Sequence, residues 1–162
     1  MHRDRERLNA RRGQSASAGR AVEDHGRVVT ANFRAAAFYR QAQLAADTFA
    51  AVEALRHAVI ADPGFGLAVA DLGAFTETSP EPMKGHQTSW ERHHIEVIHI
   101  AVAGNLSRAT DLLREHLADV GCDPLVLRIV DDLRRRTGTP DELEDFSAEL
   151  PGCHRALRRT LP

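Results

Sequence analysis

The chain has 162 residues, of which 43% are hydrophobic and 27% charged, a composition typical of one globular domain rather than of a disordered or membrane-spanning chain. Its formal net charge of −2 creates no overall field that would attract nucleic acid or an anionic membrane, so we expect neither as a partner, with a DNA-associated regulator that uses the arginine-rich N-terminus as an alternative. The N-terminal segment lacks the apolar core of a secretory signal, and no apolar run approaches the roughly 18 residues that span a bilayer, so we expect a cytoplasmic location.

The segment 1–25 differs in amino-acid composition from the rest of the chain. Six arginines fall within its first 20 positions and it shows no apolar period, so we expect a disordered basic tail, followed by one helical domain over 26–162. Lys84 is the only lysine among 21 basic residues, a bias that points to a GC-rich bacterial genome. Cys122 and Cys153 form no Cys-x-x-Cys pair, and we expect two ordinary small side chains, with a disulfide as the alternative.

The predicted elements of the first half are helices separated by turn signals. An alanine-rich run over 28–45 has helical spacing without glycine or proline, and it predicts helix 1. Asp47 is a suitable N-cap for helix 2, which Pro63 terminates, and helix 3 runs to Phe75. The segment 76–89 contains two prolines and many small polar residues, and it predicts the clearest loop of the chain.

The second half continues in the same way. Helix 4 begins after Thr88 and ends at Gly104, because glycine readily adopts the left-handed conformation that ends a helix. Ser107 is the predicted N-cap of helix 5, Pro124 starts helix 6, and the segment 140–149 predicts helix 7. No segment has a convincing strand pattern. The sequence therefore predicts an all-α fold of about seven short helices arranged as antiparallel helical hairpins.

Two blocks of the sequence share the same pattern of small and large apolar residues. The first block contains Ala51, Leu55, Ala58, Asp62-Pro63 and Leu72-Gly73. The second block contains Gly104, Ala109, Leu113 and Asp123-Pro124. Both blocks resemble the tetratricopeptide repeat (TPR), and over about 33–137 the chain is similar to bacterial proteins of the family of TPR protein 38.

The resemblance implies a short TPR-like array that acts as an interaction scaffold for another protein or peptide, or that self-associates as a homodimer. In TPR units the first helix of each pair lines the binding groove, which would here be formed by helices 1, 3, 4 and 6. The candidate binding residues on that face are Phe38, Tyr39, Asp71, His93, Glu96 and Arg128. An array this short leaves an apolar flank that helices 6 and 7 or another chain would cover.

The stretch 90–100 carries three of the nine histidines, and helical geometry tests whether they form a metal site. At about 100° per residue His93 and His99 do not share a face, whereas Glu96 and His99 are spaced i and i+3 and can share an ion. A carboxylate-bridged site would need a second Glu-x-x-His pair, and the sequence has none. We therefore expect no metal and no cofactor, with Glu96 and His99 as the alternative ligands.

His94 and His116 lie on the apolar stripes of helices 4 and 5, and pairing of these helices would bring the two rings together. One interpretation is a pair of neutral core histidines. The other is an acid–base pair in a pocket with Glu96, which would make the protein an enzyme or a small-molecule binder of a biosynthetic pathway. No P-loop, dinucleotide motif or nucleophile elbow accompanies the histidines, so we favour an interaction module over an enzyme.

Overall fold

The computed structural model describes the backbone of residues 21–24 and the residues 27–78 and 87–138. The described strands are β1 Ala21–Asp24 and β2 Arg27–Thr30, and the described helices are α1 Phe33–Leu44, α2 Thr48–Ala61, α3 Gly66–Phe75, α4 Ser89–Val102, α5 Leu106–Val120 and α6 Pro124–Thr137. The protein is mostly helical, which confirms the all-α prediction at the level of fold class. The predicted helix 7 and residues 1–20 of the predicted tail lie outside the described residues. None of the described helices is long and apolar enough to cross a membrane.

The segment before the first helix is extended rather than helical. β1 pairs with β2 in antiparallel register, with Val22 opposite Val29, so the prediction that helix 1 begins at residue 28 is wrong. Strand β1 also occupies the end of the segment 1–25 that was predicted to be a tail. β-Branched residues at 28–30 favour a strand. The helix starts only after Asn32, whose side chain accepts a hydrogen bond from the backbone N–H of Ala35.

Helix boundaries in the second half follow capping signals, with one correction. Thr88 and Glu91 form a reciprocal capping box at the start of α4. α4 ends before Gly104, which has a left-handed φ of +87°. The next helix is capped by Asn105 rather than by the predicted Ser107, because the chain turns so tightly at this glycine that α5 already begins at residue 106.

Helix α6, the last described helix, packs back against the first helix and so closes the helical bundle. Each helix packs against the next one along the chain, and α6 packs in addition against α1, α3 and α4. Its apolar side chains are almost fully buried there, with Leu125, Leu127 and Ile129 at most 1% exposed. The face that helices 1, 3, 4 and 6 were predicted to present as an open groove is therefore packed interior.

The cysteine between α5 and α6 departs from expectation. Cys122 is half-buried and disulfide-bonded, so the prediction of an ordinary small thiol is wrong at this position. The only other cysteine of the chain, Cys153, lies outside the described residues.

Candidate functional site

Four titratable side chains from four elements meet at one buried point. They are Asp71 of α3, His94 of α4, His116 of α5 and Asp123, which caps α6. Each is at most 1% exposed. A buried charge is stable only when it is paired and hydrogen-bonded, so the contacts within this cluster, called the His–Asp network below, determine its chemistry.

His94 lies at the centre of the His–Asp network. Its Nε2 is 2.7 Å from Oδ1 of Asp71, and its Nδ1 is 2.9 Å from Oδ2 of Asp123. Both ring nitrogens thus face a carboxylate, an arrangement that suits a ring donating two charge-assisted hydrogen bonds. Burial by itself would lower the pKa of His94, but the charges of the two carboxylates outweigh burial and raise the pKa to about 10.

Asp123 connects His94 to His116 and to the start of α6. Nε2 of His116 lies 3.2 Å from the same Oδ2 atom that faces His94, while Oδ1 accepts a hydrogen bond from the backbone N–H of Val126. Burial would raise the pKa of Asp123, but the charge of His94 and the hydrogen bonds of both histidines hold it well below its usual range. This carboxylate is therefore ionised at neutral pH.

His116 differs from its neighbour because a single carboxylate contacts it. Burial lowers the pKa of His116 below its usual value, and the hydrogen bond to Asp123 only partly opposes that effect. The ring is thus neutral at neutral pH. Its Nδ1 is buried and has no hydrogen-bond partner among the described residues.

Tyr39 extends the network to the first helix. Its hydroxyl donates a hydrogen bond of 2.8 Å to Oδ2 of Asp71, and its ring packs edge-on against Phe65 with centroids 5.1 Å apart. Tyr39 is 1% exposed. Four of the six described helices, α1, α3, α4 and α5, therefore contribute a side chain to this network. A fifth, α6, is capped by the network residue Asp123.

The structure brings together the two histidines that the sequence pairs. The rings of His94 and His116 are 5.6 Å apart between centroids and nearly perpendicular. Glu96, the third residue of the predicted pocket, is exposed on α4 and lies outside the network. His94 and His116 are both buried, hydrogen-bonded core histidines, as the other interpretation expects, but the two carboxylates favour the charged form of His94 rather than the neutral one.

The six predicted binding residues do not share one surface. Three of them are buried: Tyr39, Asp71 and Arg128. Three keep partial or full exposure: Phe38, His93 and Glu96. The reason is that α6 packs directly against α1, α3 and α4, so the side chains between these helices are interior and do not form a binding face.

Sequence reasoning placed Asp71 on a surface and treated Asp123 only as the opening of helix 6. A signal for Asp71 exists, because it is the only charged residue in the apolar segment 66–75. A lone carboxylate in such a helix is expected to be buried with a partner. Asp123 carries no comparable signal, since an aspartate before proline is already explained by its role as an N-cap.

The residues that could hold a metal ion are not the predicted pair of Glu96 and His99. One donor atom from each of His94, His116 and Asp123 lies within 4.8 Å of the others. Glu96 and His99 acquire no third ligand within the described ranges. The structure therefore groups possible metal ligands at His94, His116 and Asp123 and not at Glu96 and His99.

A surface cleft of about 580 Å³ lies between α1 and α2, away from the network. Its lining residues are Asn32, Phe33, Arg34, Phe38, His57, Ile60 and Ala61. Phe38 stacks on His57 with centroids 5.1 Å apart, and the guanidinium of Arg34 lies 5.8 Å from the centre of the Phe38 ring. The cleft thus has both polar and apolar walls, with a cation held at an aromatic face.

Comparison with known proteins adds no relative: no family model matches the sequence, and no curated protein or solved structure matches it. The fold and the two sites therefore carry the functional argument. They define a small helical protein with a buried His–Asp network and a cleft of mixed polarity between its first two helices.

Proposed function

We propose that this protein is a TPR-like interaction module of the bacterial cytoplasm, which binds another protein or peptide, or a second copy of itself, through the outer face of α1 and α2. The observation that carries the proposal is the exposure of large apolar side chains on this helix pair. Phe33 is 78% exposed, Phe49 78%, Ile60 76% and Leu44 67%. Contiguous apolar patches on a protein surface mark interaction sites.

The apolar side chains of α2 form a ridge. Phe49 and Ile60 are eleven residues apart, which is about three helical turns, so both project from the same face. Between them Arg56 and Glu53 form an exposed ion pair of 2.8 Å. The two apolar side chains of α2 therefore lie on either side of one exposed charged pair on this face of the helix.

The cleft beside this ridge supports a partner that inserts an apolar side chain. Phe33, Phe38 and Ile60 provide an apolar lining, and Arg34 stands at the edge as a donor for a carbonyl or carboxylate of the partner. Phe38 is the one predicted binding residue that lines the cleft. This surface differs from the groove of helices 1, 3, 4 and 6 that the TPR resemblance implies.

The enzyme alternative has less support. His94 and His116 are 0% exposed, and Glu96 points away from them, so the predicted acid–base pair does not face a described cleft. A general acid or base has to come within hydrogen-bond reach of its substrate. The His–Asp network therefore supports the proposed module as the element that holds its helices together.

The proposal is tested with the double variant Phe33→Ser/Ile60→Ser and the matched surface control Arg92→Ala/Glu96→Ala. Light scattering between about 1 and 100 µM should show the wild-type mass rising above 17.8 kDa, or peptide display should select a sequence that binds the wild type. The control should behave like the wild type, and the double variant should lose the association. A chain that stays monomeric and selects no peptide, or an association that survives in the double variant, contradicts the proposal.

A further inference from the structure

We propose that the His–Asp network is a binding site for a divalent transition metal ion, best fitted by zinc, with Nδ1 of His94, Nε2 of His116 and Oδ2 of Asp123 as its three protein ligands. The site is separate from the α1–α2 surface. The two proposals therefore stand or fail independently.

The three donor atoms lie within 4.8 Å of one another. Oδ2 of Asp123 lies 2.9 Å from Nδ1 of His94 and 3.2 Å from Nε2 of His116. Tetrahedral zinc with bonds of about 2.0–2.2 Å places its ligand atoms about 3.3–3.6 Å apart. To admit the ion, the carboxylate of Asp123 would therefore move slightly away from both rings, and the two ring nitrogens would take up the same spacing.

The donor set selects the kind of ion. Two imidazole nitrogens and one carboxylate oxygen suit zinc and its first-row neighbours, whereas calcium and magnesium take oxygen ligands. The ligands come from α4, from α5 and from the cap of α6, so only the folded chain assembles them. Metal binding would accordingly stabilise the folded state.

Asp71 and Tyr39 supply the support that a metal-binding histidine needs. When Nδ1 of His94 binds an ion, Nε2 carries the ring proton, and this nitrogen faces Oδ1 of Asp71 at 2.7 Å. The hydroxyl of Tyr39 holds the other oxygen of Asp71 at 2.8 Å. Such a carboxylate on the second nitrogen fixes the tautomer and the orientation of a ligating histidine.

A divalent ion also balances the buried charge. The contacts described for Asp71 and Asp123 come from Tyr39, the two histidines and one backbone N–H, with no arginine or lysine among them. A divalent ion bound to Asp123 would supply positive charge directly to a buried carboxylate, which is stable only when it is paired.

Three protein ligands leave one coordination position for a water molecule or for a fourth side chain. The ring of His93 lies edge-on to His116 with centroids 5.4 Å apart, and His93 is half-buried. This side of the network therefore offers a further nitrogen donor for the fourth position.

The test uses the full chain without a polyhistidine tag, stripped with a chelator and titrated with zinc chloride and with cobalt chloride. Zinc should bind with a stoichiometry of one and raise the melting temperature, and cobalt should give the intense visible bands of tetrahedral coordination. In His116→Gln the affinity should fall at least about 100-fold with an unchanged circular dichroism spectrum. Asp71→Asn should cost about 10-fold, and the control His57→Gln/His99→Gln should change nothing.

Histidine-ring nitrogen NMR of the wild type keeps the proposal testable even where a variant does not fold. Zinc should shift Nδ1 of His94 and Nε2 of His116 and leave the ring nitrogens of His57 and His99 unchanged. Absence of stoichiometric binding, octahedral cobalt bands, shifts confined to other histidines, or full affinity in His116→Gln would each overturn the metal site.

Discussion

The hydrogen bond from Tyr39 to Asp71 allows a quantitative test of how the His–Asp network stabilises the fold. Tyr39→Phe removes one oxygen atom and keeps the ring that packs against Phe65. The lost hydroxyl donates at 2.8 Å to the carboxylate of Asp71, which is 0% exposed. Hydrogen bonds to charged groups contribute about 1.5–3 kcal/mol, so we expect the free energy of unfolding to fall by about 2 kcal/mol.

Urea titration followed by circular dichroism measures this change. The buffer should contain a chelator, because an ion bound only to the folded state would add its own stabilisation to every variant. The denaturant midpoint should fall with an unchanged m-value, which indicates a loss of stability rather than a change in compactness. For a chain of this length, a loss of about 2 kcal/mol corresponds to a melting temperature lower by about 4–8 °C.

A double-mutant cycle with Asp71→Asn separates the hydrogen bond from other effects of the tyrosine. Because Tyr39 and Asp71 are in direct contact, the two losses should be non-additive by about 1 kcal/mol or more. The control Arg56→Met breaks an exposed ion pair of 2.8 Å with Glu53 and should cost less than about 0.5 kcal/mol. A loss below about 0.5 kcal/mol in Tyr39→Phe, or additive energies in the cycle, would refute the reasoning.

Three further substitutions test other contacts. Arg128 is 6% exposed, and its guanidinium donates a hydrogen bond of 2.8 Å to a backbone carbonyl at the α1–α2 turn. Arg128→Met keeps the aliphatic stem and removes this donor, so denaturant titration should show the free energy of unfolding falling by about 1–3 kcal/mol. A loss near zero would mean that this hydrogen bond between α6 and the turn does not stabilise the fold. Glu91→Gln weakens a buried carboxylate that accepts hydrogen bonds from the backbone N–H groups of Thr30 and Thr88, so both amides should exchange hydrogen faster, and unchanged exchange at both sites would count against the contact. Gly104→Ala places a side chain at a φ of +87° with no atom within 4 Å, so thermal melting should show a purely conformational cost of about 1 kcal/mol, and a loss above about 2 kcal/mol would indicate a clash instead.

The helices were predictable because local signals determine them. Proline at 63 and 124, glycine at 104 and 121, and caps such as Asp47 and Thr88 mark ends that depend on a few neighbouring residues. The strand pair was not predictable in the same way, since residues 28–30 run directly into an alanine-rich helix. Only the cap at Asn32 separates strand β2 from helix α1. The strand that pairs with β2, β1, lies in a segment without an apolar period.

The candidate site was predictable only where one helix sufficed to define it. His94 and His116 stand on apolar stripes, which indicated their burial from periodicity alone. Their carboxylate partners are 23 and 29 residues away from His94 along the chain, so the pairing is tertiary information. The same holds for α6, whose apolar stripe predicts a buried face but not which helices it meets.

The position of α6 against α1 also changes how the protein must fold. In a repeat array each unit contacts only its neighbours, so one end can form or open without the other. Here the last described helix contacts the first, and the network joins residue 39 to residues beyond 120 through links of 32, 23 and 29 positions. The ribosome must therefore release the chain past Asp123 before the interior can close, and from then on the first and last described helices unfold together.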